Sequence, residues 1–358
     1  MFIAIIGTRS SGKTAVEDYL VHKDFQPVRI ANDSEDANSD SSSESASIAD
    51  PYNDQLTSRH LSFLSLGPMP PPSPADLDKK PRYFSSPSDL LDHVTRHWRL
   101  DFVTVDLHTR DIVEAFIKRP FFLLLSIDAP LLDRFQRANN TVSISLEDFC
   151  REDDSIVFGT RPLQESASAS SLYSLGDLVN IHVVNTFQNL SFLYSHLDDL
   201  NLLDPGHLRP QWDAYFMTLA SLASKRSNCM KRRVGAVLVR ENRILATGYN
   251  GTPRGLKNCN EGGCIQCNGT SFPGNIAHEC VCLHAEENAL LHCTERVGLG
   301  SVLYCNTCPC LKCTIKIIQT GVRTVVYNLS YKVDDASAKL FAEAGVELRR
   351  FQPVQRHY

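Results

Sequence analysis

Two short motifs, "HAE" at residues 284–286 and "PCLKC" at residues 309–313, constrain this chain more than any other feature of its sequence. Each motif opens a stretch with the apolar spacing of a helix, and the two cysteines are three residues apart, so their thiols face the same way in the first helical turn. The positive end of a helix favours thiolates, the form in which cysteine binds metal. One histidine and two cysteines give three protein ligands, which leaves the fourth position of a tetrahedral zinc ion open to water. The spacing therefore predicts a catalytic zinc held by His284, Cys310 and Cys313.

Glu286 lies two residues after His284, about 200° around a helix that has 3.6 residues per turn. This angle predicts that its carboxylate lies off the metal face and reaches water and substrate. There it would act as a general base and acid, taking a proton from water and passing it to a substrate. Cys305, at the end of a predicted strand, and Cys308, in the turn before Pro309, are expected to be packed thiols, because four cysteine ligands would close the metal site.

A phosphate-binding pattern, "GTRSSGKT", stands near the N-terminus between a predicted strand and a predicted helix. Its glycines, Gly7 and Gly12, let backbone N–H groups surround a phosphate at the start of a helix. Lys13 would reach the outer phosphates of a nucleotide, and Thr14 would bind a magnesium ion together with Asp106, which ends the predicted strand "FVTVDL". The pattern predicts nucleotide binding; a retained fold that binds no nucleotide, or binds one without turnover, is the alternative.

The remaining pattern divides the chain into two α/β domains. Strands alternate with helices over residues 1–203, which predicts a P-loop kinase-like domain with a parallel sheet. Within it, residues from about 32 to 82 are acidic and serine-rich and then proline-rich, which predicts a disordered insertion. A second series of helices and strands over residues 209–352 predicts a separate α/β domain.

Charge and hydropathy exclude several classes of partner. The net charge of −5 argues against nucleic-acid binding, which needs a basic surface, and no apolar run approaches the ~18 residues of a membrane span. The N-terminal "MFIAIIG" is short and lacks a basic leader, which predicts a strand and not a signal peptide. All cysteines except Cys150 lie between Cys229 and Cys313, and such crowding without a signal peptide favours metal binding over disulfides. We therefore expect a cytoplasmic or nuclear protein.

The second domain resembles the deoxycytidylate (dCMP) deaminase family, whose cytidine-deaminase-like fold has three α/β/α layers. The segments that carry the resemblance are "RPQWDAYFMTLASLASKRS", "RRVGAVLV", "ILATGYNGTPRG", "LHAEENALL", "CPCLKC" and "VVYNLSY". The order H-x-E…P-C-x-x-C is the signature of zinc deaminases, and the P-loop extension is similar to that of fungal members. The resemblance implies hydrolytic conversion of dCMP to dUMP and ammonia, which supplies thymidylate synthesis. It also implies a homo-oligomer, often a hexamer, that dCTP activates and dTTP inhibits.

The resemblance also implies roles for individual residues. The three predicted zinc ligands match those of the family, and Glu286 matches its proton shuttle. Asn250, in the "GYNG" turn, matches a position that contacts the nucleoside, and Asn288 and Tyr331 are further candidates for lining the nucleotide pocket. For each of these last three residues, a structural role is the alternative.

A second, structural zinc is expected near the loop between residues 259 and 282. Cys264 and Cys267 have a zinc-knuckle spacing. Several dCMP deaminases carry a structural zinc near this loop, at positions that match Cys229 and Cys259, but the loop departs from those members and its ligand set stays open. The candidates are Cys259, Cys264, Cys267 and His278, with Cys229 and Cys280 as substitutes. Buried free thiols are the alternative.

Two other functions compete with dCMP deamination. The same zinc chemistry could act on an RNA base or a pterin-like ring, but the net acidity of the chain opposes an RNA target. Alternatively, the chain could be a P-loop kinase whose C-terminal part is a zinc-stabilised scaffold. A scaffold has no use for the general base that Glu286 would supply.

Overall fold

The structure, a computed structural model, describes residues 1–31, 80–159, 171–269, 279–293, 297–298, 300–330 and 334–352. Most of the predicted insertion and the candidate site residues His278 and Tyr331 lie outside these ranges. Packing divides the chain into two compact units: unit 1 covers residues 1–208 and unit 2 begins at Arg209. Within the described ranges, no helix is both long and apolar enough to cross a membrane.

Unit 1 is built from alternating strands and helices. Its strands are β1 (Phe2–Gly7), β2 (Gln26–Ile30), β3 (Arg82–Phe84), β4 (Phe102–Thr104), β5 (Phe122–Asp128) and β6 (Ile181–Val184). Its helices are α1 (Lys13–His22), α2 (Pro87–Arg96), α3 (Arg110–Ile117), α4 (Leu131–Asn139), α5 (Leu146–Phe158), α6 (Leu172–Leu175) and α7 (Leu190–Asp199). The strands form one sheet in the order β3-β2-β4-β1-β5-β6, and every pairing is parallel. Strand β3 was missed, because the sequence pattern placed the insertion up to about residue 82.

The burial of the side chains of the central strand β1 shows that this sheet is covered on both faces. Its side chains are buried almost without interruption, as in a central parallel strand. Ile3 and Ile5 belong to the apolar core that also contains residues of α1 and α7, whereas Phe2 and Ala4 belong to the core that contains residues of α2 and α3. The period of two along a strand therefore assigns alternate residues to opposite layers.

Unit 2 has a mixed sheet. Its strands are β7 (Gly235–Arg240), β8 (Arg243–Tyr249), β9 (Ser301–Thr307), β10 (Thr324–Leu329) and β11 (Glu347–Arg350). Its helices are α8 (Trp212–Ser224), α9 (Ile265–Asn268), α10 (Ala285–His292), α11 (Leu311–Thr320) and α12 (Asp334–Glu343). The strand order is β11-β10-β9-β7-β8; β7 is antiparallel to both its neighbours, and β9, β10 and β11 are parallel. Strands and helices thus follow one another in this part of the chain, as the sequence pattern predicts.

Helices cover both faces of this second sheet. On one face, Phe216 and Met217 of α8 pack against Val237 and neighbouring strand residues. On the other face, one core contains buried residues of α10, α11 and α12, among them Ala289 and Ile317. Unit 2 is therefore a three-layer α/β/α domain, and α10 and α11 begin on the same side of it.

Gly248 in β8 lets α10 lie directly on the sheet. A Cβ atom at this position would lie 2.1 Å from the carbonyl oxygen of Ala285 and 2.4 Å from the backbone nitrogen of Ala289. Because both atoms belong to the helix backbone, Gly248→Ala has to displace α10. We predict that it lowers the free energy of unfolding by about 1–3 kcal/mol, the usual cost of overpacking. Urea unfolding followed by circular dichroism measures this change.

Gly176 provides the control, because an added Cβ there meets no atom within 4 Å and its φ of −57° suits any residue. Gly176→Ala should leave the unfolding midpoint unchanged. An equal midpoint for the two variants would contradict the close packing of α10 on β8.

Candidate active site

Three metal donors converge where α10 and α11 begin. His284 is the N-cap residue of α10, Cys310 is the N-cap residue of α11, and Cys313 lies in the first turn of α11. The Nδ1 atom of His284 lies 3.4 Å from Sγ of Cys310 and 3.3 Å from Sγ of Cys313. All three donor atoms lie within 4.8 Å of one another. The structure therefore brings together the three residues predicted to hold zinc.

The local backbone fixes the direction of these donors. The N–H group of His284 donates a hydrogen bond of 2.8 Å to Oε2 of Glu287, which closes the first turn of α10 and orients the histidine. The carbonyl oxygen of Cys310 accepts hydrogen bonds from both the N–H and the hydroxyl of Thr314, so α11 starts at this cysteine. The donors are thus held by helix starts and not by a loose loop.

Glu286 lies outside the three-donor group, but the helical-angle argument for its position started from a wrong premise. It treated His284 as a helical residue, but His284 has an extended backbone, with φ −79° and ψ 158°, and precedes the helix. Glu286 consequently lies beside the metal donors, and its carboxylate forms a hydrogen bond with the side chain of Cys313. Only 3% of Glu286 is exposed to solvent. Burial raises the pKa of this carboxyl group to about 7, which suits a group that both accepts and donates protons near neutrality.

The two thiols of this group differ in pKa. Hydrogen bonds from Cys313 and His284 hold the pKa of Cys310 at about 3, so this sulfur is a thiolate. The hydrogen bond with Cys310, together with burial, raises the pKa of Cys313. A thiolate, a second thiol and an imidazole within mutual reach are a donor set that suits zinc, and three donors leave a coordination position open. The residues present therefore fit a zinc ion.

Cys305 and Cys308 lie outside this three-donor group. Cys305 is fully buried in β9, and burial raises the pKa of its thiol well above the ordinary value. Cys308 is also buried, and its backbone N–H donates to the carbonyl oxygen of Leu329. Their placement is consistent with the prediction that they are packed thiols.

A cavity of about 540 Å³ opens beside His284. Its lining includes three lysines, Lys231, Lys312 and Lys316, together with Glu287. Lys316 forms an ion pair with Glu287. Sequence reasoning missed these lysines, because Lys231 lies far along the chain from the other two and joins them only through the fold. The three lysines bring positive charge to the cavity next to His284, and Glu279 and Glu287 offset part of it.

The side chains of Asn250 and Asn288, which were predicted to line the nucleotide pocket, form hydrogen bonds with the backbone. Both polar atoms of the Asn250 side chain bond to backbone: Oδ1 accepts from the N–H of Val234 and Nδ2 donates to the carbonyl of Arg232, each at 2.8 Å. The Nδ2 atom of Asn288 donates to the carbonyl of Tyr249. These contacts favour the structural alternative for both asparagines. Tyr331 lies outside the described residues.

The glycine-rich loop of unit 1 lies between a strand and a helix, as the sequence pattern predicts. It follows the central strand β1, and Gly12, with φ 110°, is the N-cap residue of α1. The Nζ atom of Lys13 donates to the carbonyl oxygens of Gly7 and Thr8, each at 2.8 Å. Burial lowers the pKa of Lys13. The lysine therefore closes over the loop through bonds that a bound phosphate could replace.

The two predicted magnesium ligands lie near this loop in the topology. Thr14 is exposed in the first turn of α1. Asp106 follows β4, the strand beside β1, and its Oδ2 atom accepts a hydrogen bond of 2.8 Å from the N–H of Ile30. Magnesium binding by these residues stays a prediction.

The predicted structural zinc set is not gathered as one group. Cys259 and Cys264 belong to two different sets of four neighbouring cysteines, and His278 lies outside the described residues. Cys282, which was not among the candidates, belongs to both sets. The sequence offered no means of finding it, because its place depends on how the loop folds back.

Comparison with known proteins supplies a class for this fold and site. Residues 210–329 match the family model described as "Cytidine and deoxycytidylate deaminase zinc-binding region". The fold, the three donors and the buried glutamate thus define a deaminase, which is an enzyme of the hydrolase class.

Relatives that align over more of the chain identify the family more closely. Deoxycytidylate deaminase of Schizosaccharomyces pombe is 48% identical over 274 residues, covering 75% of this chain and 83% of its own. That of Saccharomyces cerevisiae is 41% identical over 274 residues, covering 75% of this chain and 87% of its own. A solved structure of dCMP deaminase from the cyanophage S-TIM5, in complex with dCMP and dUMP, is 35% identical, covers 40% of this chain and 98% of its own, and has a TM-score of 0.34. The chain belongs to the deoxycytidylate deaminase family. The 274-residue alignments are longer than unit 2, so this similarity extends into unit 1.

Proposed function

We propose that this protein converts dCMP and water to dUMP and ammonia, at a zinc site formed by His284, Cys310 and Cys313. The observation that carries the proposal is the burial of Glu286 beside these three donors, because a purely structural metal site needs no such carboxyl group. Its relatives named deoxycytidylate deaminase support dCMP as the substrate.

The residues of the chain account for the proton transfers of this reaction. A zinc ion at the three donors would act as a Lewis acid that lowers the pKa of water. Glu286, with a pKa near 7, accepts a proton from the attacking water and delivers it to N3 of the cytosine ring. Water oxygen bonds to C4, a second proton passes through Glu286 to the amine, and the C4–N bond breaks to release ammonia. The carboxyl group ends in the protonation state in which it began.

The lysines of the cavity suit the phosphate of dCMP. A phosphate monoester carries nearly two negative charges at neutral pH, and Lys231 and Lys312 line the cavity next to His284. We predict that Lys312→Ala raises KM for dCMP about tenfold, the loss of roughly 1.4 kcal/mol from one charged hydrogen bond, without changing kcat/KM for deoxycytidine. Steady-state kinetics with the two substrates measure the difference.

Lys225→Ala is the control, since Lys225 is exposed and caps the far end of α8. It should leave both substrates unaffected. If Lys312→Ala lowered the rates for dCMP and deoxycytidine equally, the phosphate assignment would be wrong.

A substrate panel tests the proposed reaction against the competing functions. The full chain is incubated with dCMP, CMP, deoxycytidine and a tRNA anticodon stem, and ammonia release is followed. Rapid turnover of dCMP alone supports the proposal. Faster turnover of the tRNA stem would identify an RNA base as the substrate. The absence of ammonia release from every substrate would favour the scaffold alternative.

Regulation and assembly belong to the same proposal. We expect a homo-oligomer, with a hexamer as the working hypothesis, that dCTP activates and dTTP inhibits. Light scattering gives the mass of the particle, and initial rates at subsaturating dCMP with each triphosphate give the regulation. A monomer whose rate is indifferent to both nucleotides would contradict this part of the proposal.

A second function is favoured for unit 1 by the geometry of its glycine-rich loop, where Lys13 already bonds the loop carbonyls. We propose that this loop binds the phosphates of ATP or a deoxynucleoside triphosphate, with Thr14 and Asp106 holding magnesium. Calorimetry should show binding to the native chain and a loss of at least about tenfold in affinity for Lys13→Ala, since one charged phosphate contact is removed. Lys23→Ala, at the opposite end of α1, is the control. Absence of binding by the native chain would make the loop a structural remnant.

A further inference from the structure

Six cysteines of unit 2 form two overlapping sets of four. One set is Cys229, Cys259, Cys267 and Cys282, and the other is Cys264, Cys267, Cys280 and Cys282. Within each set, all sulfur atoms lie within 4.8 Å of one another. Cys267 and Cys282 belong to both sets, so the six sulfurs outline two four-cornered sites that share one edge.

The sulfur separations are those of metal coordination. Cys267 lies 3.7 Å from Cys229, 3.5 Å from Cys280 and 3.9 Å from Cys282. Cys264 lies 3.8 Å from Cys280. A tetrahedron with metal–sulfur bonds of about 2.3 Å has edges of about 3.8 Å. All twelve cysteines of the chain are free, so none of these pairs is a disulfide.

We propose that this six-cysteine cluster binds two zinc ions, with Cys267 and Cys282 as bridging thiolates. Cys229 and Cys259 complete the site of one ion, and Cys264 and Cys280 complete the site of the other. Six thiolates and two divalent cations leave a net charge of −2. A single ion would use only four sulfurs and would leave a second pair unused at coordination distance, either Cys264 with Cys280 or Cys229 with Cys259.

Backbone N–H groups support thiolates in both terminal pairs. The N–H groups of Lys231 and Arg232 donate to Cys229, and that of Met230 donates to Cys259 at 3.5 Å. The N–H groups of Cys267 and Val281 donate to Cys264. Such donors stabilise negative charge on sulfur, and they occur at both ends of the cluster and not at one alone.

The described part of the surrounding chain contains only short elements. Between β8 and α10, the described residues include a 3₁₀ turn of three residues, Cys259–Glu261, and the four-residue helix α9. The core of this region consists of the cysteines themselves. A structural metal contributes folding free energy where a segment is too small to bury an apolar core.

The cluster is also joined to the active site. Cys282 stands two residues before His284, and Leu283 between them pairs with Gly251 through a backbone bridge. Cys280 and Cys282 line the same cavity as His284. Two zinc ions would therefore hold in place the segment that leads to His284.

Metal stoichiometry tests this proposal independently of any substrate. Plasma mass spectrometry of the purified full chain should find three zinc ions per chain, one at the His284 site and two in the cluster. The double variant Cys310→Ser/Cys313→Ser should retain two. Cys229→Ser and Cys280→Ser, which alter different terminal pairs, should each lower the zinc content. Cys150→Ser, in unit 1, should not.

Two other results would overturn the proposal. One is a total of two or fewer ions in the native chain. The other is a zinc content that falls when one terminal pair is substituted but not when the other is. A single ion would be bound by only one of the two pairs.

Cadmium NMR keeps the test decisive if a variant fails to fold. In the native chain loaded with ¹¹³Cd, the cluster should give two resonances that are coupled to each other through the bridging sulfurs. A single cluster resonance, or two without coupling, would contradict the shared edge.

Discussion

Glu286→Gln is expected to lower kcat for dCMP by about 10³-fold or more while the zinc content stays unchanged. The amide has nearly the same shape as the carboxyl group but cannot accept the proton of water or pass it on, and positioned general acid–base groups contribute about 10²–10⁴-fold to rates. Glu286 is 3% exposed, so bulk water is poorly placed to replace it. Steady-state kinetics and zinc analysis on the same preparation give both quantities.

Glu241→Gln is the matched control, because Glu241 is exposed in the turn between β7 and β8. It should have native kinetics. Turnover by Glu286→Gln within about tenfold of native would show that this carboxyl group does not transfer the protons, since such a group contributes at least about 10²-fold to the rate. Loss of zinc from Glu286→Gln would make the residue a ligand.

Cys310→Ser is expected to lose one zinc ion per chain and with it all measurable dCMP deamination. The serine hydroxyl does not ionise near neutral pH, whereas the pKa of Cys310 is held at about 3. His284 and Cys313 alone would leave the ion with two protein ligands, fewer than a stable zinc site uses. Zinc analysis and ammonia release check the two effects.

Cys308→Ser, two residues away, is the control that separates the four neighbouring cysteines of residues 305–313. Cys308 is outside the three-donor group, so this variant should keep both its zinc and its activity. If Cys308→Ser lost the ion and Cys310→Ser kept it, the ligand assignment would be reversed.

The extent to which the site was predictable depends on how local each contact is. His284, Cys310 and Cys313 could be recognised because helix starts fix where neighbouring side chains point, and two such starts meet at one edge of the sheet. The angle between His284 and Glu286 could not be taken from the helical period, because His284 is the cap residue and not part of the first turn of its helix. A cap differs from a helical residue in backbone angles, and these follow from the hydrogen bond to Glu287 that the sequence pattern did not reveal.

Contacts between residues that are distant in the chain could not be predicted from the sequence. The side chain of Asn250 bonds the backbone at residues 232 and 234, which depends on how two separate segments pack. Lys231 reaches the cavity from a segment distant from Lys312 in the chain. The sharing of Cys267 and Cys282 between two sets of cysteines likewise requires the folded loop, because spacing alone identifies pairs and not their neighbours. The strand order of both sheets belongs to the same category.

Oxygen transfer from water is the most direct measurement of the central claim, that this site hydrolyses the C4–N bond of dCMP. The native chain is incubated with dCMP in H₂¹⁸O, and the product is analysed by mass spectrometry. We expect dUMP with one ¹⁸O atom on the base, formed together with an equal amount of ammonia, and at a rate about 10³-fold lower with Glu286→Gln. The absence of dUMP, or dUMP that carries no ¹⁸O, would contradict hydrolysis at this site.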